Sequence, residues 1–212
     1  NLLDDRVYFF SAQGKLIQVM TLPAMGDITV SSSDDRVLIN SGTRGLMLYD
    51  LQGRHLADLG PAHGWAISPD GRWEAVLYGP KLTLYHEGKP TYIGEPSGEI
   101  VRGVSFSPDN AHLAVYSDHS LVVLENPSGK VLMQQNLEVQ GQFLFTSVDL
   151  TQDGGCLAAG LVRDLGESVQ GPERHPDGQV RLYNLNGSEC YQLEVSFQHW
   201  NTTTPRVSFS AE

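Results

Sequence analysis

Basic residues are scarce in this sequence. Only 14 Lys and Arg stand against 25 Asp and Glu in 212 residues, a net charge of -11. They are also scattered. Phosphate neutralisation by clustered bases supplies most nucleic-acid affinity, so no DNA or RNA partner is expected. The same acidity argues against docking on anionic lipid. No apolar run approaches the roughly 18 residues that would suggest a membrane span, so no membrane insertion is expected. Sustained helical periodicity with caps is missing, which predicts little helix. Cysteine is nearly absent: Cys156 and Cys190 form neither a zinc spacing nor a disulfide framework. They are expected on the second and fourth strands of one repeat. Strands two apart lie roughly 9–10 Å from each other, beyond disulfide reach, so two buried free thiols are expected. Catalytic signatures are missing too: there is no phosphate loop, Gly-x-Ser-x-Gly, His-Glu-x-x-His or EF-hand loop. No catalytic residue and no cofactor is therefore expected. Residue 1 is Asn, and no targeting segment is visible. The chain is read as cut from a longer protein; its compartment stays open, with a soluble cytoplasmic setting the first expectation.

What is present is a repeat near forty residues long. Its clearest copy runs Trp65-Ala66-Ile67-Ser68-Pro69-Asp70-Gly71, then Glu74-Ala75-Val76-Leu77-Tyr78, then Leu82-Thr83-Leu84-Tyr85. With strands a to d named in chain order, strand a ends in Ser32-Ser33-Asp34, Ser68-Pro69-Asp70, Ser107-Pro108-Asp109 or Thr151-Gln152-Asp153. Asp accepts backbone hydrogen bonds in such turns, Pro presets φ, and a following Gly or Asn tolerates positive φ. Strand c recurs as 7–10, 46–49, 82–85, 121–124 and 180–183, each followed by a turn holding Gly14, Gly53, Gly88, Gly129 or Gly187. The two ladders keep step along the chain, and β-branched and aromatic runs between glycines are hairpin chemistry.

These repeats predict an all-β chain of four-stranded antiparallel blades, a β-propeller. About five blades are represented: a half blade over 1–22, four full blades over 27–60, 64–94, 103–137 and 146–194, and a trailing strand over 206–212. The whole is one domain, read as a fragment of a larger ring or a ring open at its seam. Missing sequence or another chain would complete it. The Ser-Pro-Asp-Gly turn and the Leu-x-Leu-Tyr-Asp strand resemble WD40-like propeller repeats over nearly the whole chain. The Trp-Asp ending of a strict WD repeat is here Tyr49-Asp50, Tyr85-His86, Leu124-Glu125 and Tyr183-Asn184, so the buried polar network of strict WD repeats does not carry over.

In such a fold the short a–b and c–d turns share one face, and the variable d–a and b–c connections share the other. Function tends to reside on variable loops held by a rigid scaffold. The candidate binding residues on that rim are His63, Glu99, Arg102, His119, Asp164, Glu167, Glu173, His175, His199 and Trp200. Four of them are histidines, but on different repeats and without a short ligand spacing, so no metal is expected. Trp200 is a candidate hot spot for a partner. Arg102 is expected just before strand a, in an ion pair with a loop carboxylate such as Glu99. Residues 163–176 are read as an exposed insertion between strands b and c. Trp65 and Trp73 are read as core. The leading functional expectation is a non-catalytic scaffold that binds a protein or peptide on the loop-rich face. The alternatives are a propeller hydrolase or lactonase with its site at the channel mouth, and a structural or sensory domain of a larger envelope or signalling protein.

Overall fold

The computed structural model describes residues 6–10, 13–21, 28–30, 35–41, 45–137, 143–163, 177–196 and 207–209. Among them no helix is present. Strands β1 (Arg6–Phe10) and β2 (Leu16–Thr21) form an antiparallel hairpin. Four four-stranded antiparallel sheets follow, each a simple meander. Sheet 1 holds β3 (Ile28–Val30), β4 (Arg36–Ser41), β5 (Gly45–Asp50) and β6 (His55–Gly60). Sheet 2 holds β7 (Gly64–Ile67), β8 (Trp73–Tyr78), β9 (Lys81–His86) and β10 (Lys89–Gly94). Sheet 3 holds β11 (Val101–Phe106), β12 (His112–Ser117), β13 (Ser120–Glu125) and β14 (Val131–Asn136). Sheet 4 holds β15 (Phe143–Leu150), β16 (Cys156–Arg163), β17 (Asp177–Asn184) and β18 (Glu189–Ser196).

The Ser-x-Asp turn closes the first hairpin of sheets 2, 3 and 4 by one mechanism. In sheet 3 the Ser107 hydroxyl donates to Asp109 at 2.5 Å and accepts from His112 N–H at 2.9 Å. Asp109 in turn accepts from Ala111 N–H at 2.9 Å. Ser68 and Asp70 repeat the pattern at 2.6, 2.9 and 3.1 Å, and Thr151 and Asp153 at 2.8, 3.0 and 2.9 Å. The residue after each Asp takes positive φ: Gly71 at 70°, Asn110 at 65° and Gly154 at 65°. Only glycine and, less readily, asparagine occupy that region without much steric cost. The turn at Ser32-Ser33-Asp34 lies outside the described residues.

Second and third strands are buried on both faces, as in β5, β8 and β13, while fourth strands such as β10 are largely exposed. Successive sheets therefore meet through apolar side chains. Leu38, Leu46, Leu48 and Leu59 of sheet 1 pack on Val76 of sheet 2. Ala75, Leu77, Leu82 and Leu84 of sheet 2 pack on Leu113, Val115, Val122 and Leu124 of sheet 3. Ala114, Leu121, Val123 and Met133 of sheet 3 pack on Leu157, Ala159, Leu161 and Tyr183 of sheet 4. Each fully buried aliphatic side chain contributes about 1.5–3 kcal/mol of transfer free energy, so these shared clusters are the main cohesion between sheets. First strands of successive sheets also lie against one another: β3 on β7, β7 on β11, β11 on β15.

Polar groups add specific links between sheets. Tyr85 donates its hydroxyl to Leu59 O at 2.9 Å, and Tyr116 to Thr146 O at 2.8 Å. Trp65 and Trp73 are partly buried against the inter-sheet clusters, and Trp73 stacks on His86 with centroids 4.3 Å apart. Glu74 is fully buried on β8 and faces Arg36 of β4, with Oε1 3.5 Å from Nη1. Its other oxygen accepts from Gly88 N–H at 3.1 Å. Burial pushes its pKa from 4.5 up to about 7, against the lowering effect of Gly88 and Arg36.

Three expectations need correction. Cys156 and Cys190 are both free and sit on β16 and β18, but only Cys156 is partly buried; Cys190 is exposed because β18 is an outermost strand. Residues 207–209 form no regular strand; they lie against β15 through side-chain hydrogen bonds, with Val207 N–H on Ser147 Oγ at 3.1 Å and Phe209 N–H on Asp149 Oδ2 at 2.7 Å. Arg102 lies within β11 rather than before it.

Candidate functional site

One rim gathers the β12–β13 turn, the connection from β10 to β11, and the residues flanking β7 and β8. The β12–β13 link is only two residues, Asp118 and His119. Two buried serines frame it. Ser120 N–H donates to Ser117 Oγ at 2.9 Å, and Ser120 Oγ donates to Asn136 Oδ1 at 2.9 Å. The turn is held from both sides: its carbonyls accept from Phe145 N–H at 3.0 Å and from Leu137 N–H at 2.7 Å. A short, doubly anchored turn gives its side chains a fixed bearing.

Arg102 projects from β11 onto this turn. Its Nε and Nη2 each donate to one oxygen of Asp118 at 2.8 Å, a bidentate fork. The hydrogen bond and charge of Arg102 hold the Asp118 carboxyl below its ordinary value, with a smaller contribution from His119. Reciprocally, Asp118 pushes the guanidinium up. The expected ion pair of Arg102 exists, but with Asp118 rather than Glu99. Glu99 instead accepts a short hydrogen bond from the Ser117 hydroxyl. The hairpin register sets the choice, because it carries Ser117 to Val101 and so brings the turn beside Arg102.

His63 precedes β7 and works as a staple. Its Nε2 donates to Val101 O at 2.6 Å, and its Nδ1 accepts from Gly79 N–H at 3.3 Å. Both ring nitrogens are occupied by backbone partners, so the ring is committed to structure. Val101 N–H donates to Gly79 O at 3.1 Å, completing the junction. Two exposed apolar side chains flank it: Tyr78 at 59% and Ile100 at 56%. The Tyr78 ring lies 6.5 Å from that of His63.

Four of the ten expected site residues, His63, Glu99, Arg102 and His119, thus fall on connected pieces of one rim. Asp164, Glu167, Glu173, His175, His199 and Trp200 lie outside the described residues, as does most of the insertion expected over 163–176. Sequence reasoning passed over Tyr78, Ile100 and Ser117 as site residues. The available signals were an apolar residue inside the polar stretch 94–102 and an aromatic residue directly before Gly79-Pro80. Among the described residues, no group of three or more His, Cys, Asp or Glu side chains is placed to hold a metal ion. No family model matches the chain, and no curated protein matches it in sequence.

Proposed function

We propose that the four sheets are blades of a WD40-like β-propeller, and that the chain is a non-catalytic interaction module. Its partner, a protein or peptide, binds the rim around Tyr78, Ile100 and the Arg102–Asp118 fork. The order of contacts supports the propeller reading. First strands touch in chain sequence, third strands are buried and fourth strands face solvent, as blades radiating from a common axis require.

One observation carries the binding reading. Exposed Tyr78 and Ile100 sit beside a fixed arginine on a rim whose backbone is pinned from both sides. Tyrosine and arginine dominate binding energy at protein interfaces, most of all where the free surface is already rigid. Burying the outer halves of Tyr78 and Ile100 would drive association, while Arg102 would set orientation.

The test is selection of peptides from a random display library on the immobilised chain, followed by titration of the selected peptides. Micromolar binding that weakens at least about tenfold in Tyr78→Ala and in Arg102→Ala is expected, the size of a modest hot spot. Selected peptides that bind both variants as well as the parent chain would overturn the assignment of this rim.

A further inference from the structure

Charged groups gather where sheet 1 meets sheet 2. Leu38, Leu48, Val76 and Tyr85 belong to the cluster that joins the two sheets. Alternation along the strands puts Arg36 on the face of Leu38, Asp50 on that of Leu48 and Glu74 on that of Val76, so all three project toward this seam. Arg36 is shared: Nη1 lies 3.5 Å from Glu74, and Nη2 lies 3.7 Å from Glu87 of the β9–β10 turn. Asp50, the cross-strand partner of Arg36, accepts from Arg54 Nε at 2.5 Å. These two guanidiniums and three carboxyls balance only when one carboxyl carries a proton. Glu74 is the enclosed one, its side chain 0% exposed against 10% for Asp50 and 56% for Glu87. Packing does not call for a carboxyl at this position, which Val37, Leu113 and Leu157 fill in the other sheets.

We infer that Glu74 is a proton-operated latch on this seam: with its carboxyl protonated it holds sheet 2 against sheet 1, and on ionisation the seam opens locally and reversibly while sheets 2, 3 and 4 stay packed. Charge balance is the first argument. An ionised Glu74 leaves the set one negative charge in excess, and the arginine that faces it is divided with Glu87. A buried charge so incompletely paired is relieved by water. The second argument is that the seam can part alone. Its apolar cluster shares no residue with the clusters that join sheets 2 and 3 or sheets 3 and 4, and local openings follow such divisions. The direction of the response follows from the group's surroundings. Burial raises the Glu74 carboxyl to about 7; Gly88 N–H and Arg36 work against the rise, and Glu87 adds to it. Tyr85, cross-strand from Glu74, has its hydroxyl pushed up by burial and by that carboxylate. Opening wets the carboxyl and returns it to its ordinary 4.5. The latch is therefore fully closed below 4.5, slackens as pH climbs toward 7 and changes little above it.

Thiol labelling of the 212-residue chain tests this. Cys156 and Cys190 are first replaced by serine. A single reporter is then placed in each seam: Val76→Cys between sheets 1 and 2, Val122→Cys between sheets 2 and 3, and Val123→Cys between sheets 3 and 4. Labelling by a pyridyl disulfide is timed at pH 5 and pH 8, with Glu74 and with Glu74→Gln, which is neutral throughout and of the same shape. Dividing the two rates at each pH cancels the ionisation of the thiol itself. For Val76→Cys this ratio is expected to rise at least about tenfold from pH 5 to pH 8, while the other two reporters keep a constant ratio. Glu74→Leu, which supplies the apolar side chain of the sheet 3 position, should match Glu74→Gln and replaces it as the reference if the amide unfolds the chain. A ratio at Val76→Cys that does not change with pH overturns the inference. So does a rise shared equally by all three reporters, which would make Glu74 a determinant of global stability alone.

Discussion

Glu74 occupies a position where the other sheets place apolar side chains. Cross-strand partners define the equivalence: Tyr49 faces Val37, Tyr85 faces Glu74, Leu124 faces Leu113 and Tyr183 faces Leu157. Its pKa, raised to about 7 by burial, means that the folded chain binds a proton there more tightly than the unfolded chain does. The group's stabilising effect is therefore complete below its ordinary 4.5 and is lost as pH rises through about 7. A shift of that size corresponds to about 3 kcal/mol. Urea unfolding at pH 5 and pH 8 should show the parent chain losing stability relative to Glu74→Gln across that interval; parallel curves would refute the assignment. Tight packing of a different kind rules Gly103. A Cβ there would stand 2.4 Å from the Tyr116 ring, whose hydroxyl reaches sheet 4. Gly103→Ala is expected to lower the thermal midpoint by several degrees, an overpacking cost of about 1–3 kcal/mol, and Tyr116→Phe, which keeps the ring, should not relieve it. Neither feature was legible in the sequence. Glu74 reads as the polar start of an apolar run, and it is Arg36 of sheet 1 and the Gly88 N–H that meet the buried carboxylate.

At the scale of single elements, the Ser-x-Asp turn is the repeated unit of local stability. Each serine or threonine hydroxyl both donates and accepts within five residues, and each Asp gathers a further N–H. Ser107 is fully buried, so Ser107→Ala strands the His112 N–H and should cost about 1–3 kcal/mol in chemical denaturation. A change within a few tenths would show that the hydroxyl is dispensable. The Asp118 turn obeys a different electrostatic rule. Its carboxyl is depressed by Arg102, so the contribution is present above the ordinary value of 3.8 and is lost as pH falls through the lowered one. Its side chain is 37% exposed, which screens the pair to well under about 1 kcal/mol. Asp118→Asn is therefore expected to leave stability at neutral pH nearly unchanged while releasing the arginine, which peptide binding at the rim would register. The Ser-x-Asp turns were legible beforehand because their chemistry is confined to six consecutive residues.

At the scale of the whole molecule, three of the four apolar clusters among the described residues are shared between sheets, and the fourth, Val37, Ile39, Met47 and Tyr49, lies on sheet 1 alone. Leu113 belongs to the cluster joining sheets 2 and 3. Leu113→Ala should cost about 2–5 kcal/mol. Because stability in repeat architectures is a sum of units and interfaces, the variant is expected to broaden the thermal transition by uncoupling the sheets on either side. A transition that shifts without broadening would mean that the four sheets unfold as one unit.

The sequence by itself determined strand type, strand order within each sheet, the a–b turn chemistry, and the scarcity of helix among the described residues, because each depends on period-two alternation or on residues a few positions apart. Only the tertiary structure decided which partner Arg102 takes, that His63 is a staple, and that Glu74 is enclosed. Those contacts join residues 16 to 38 positions apart. The His63 and Glu74 contacts are set by how one twisted sheet lies on the next and the Arg102 contact by the register of a hairpin, and no short-range pattern in a chain encodes either.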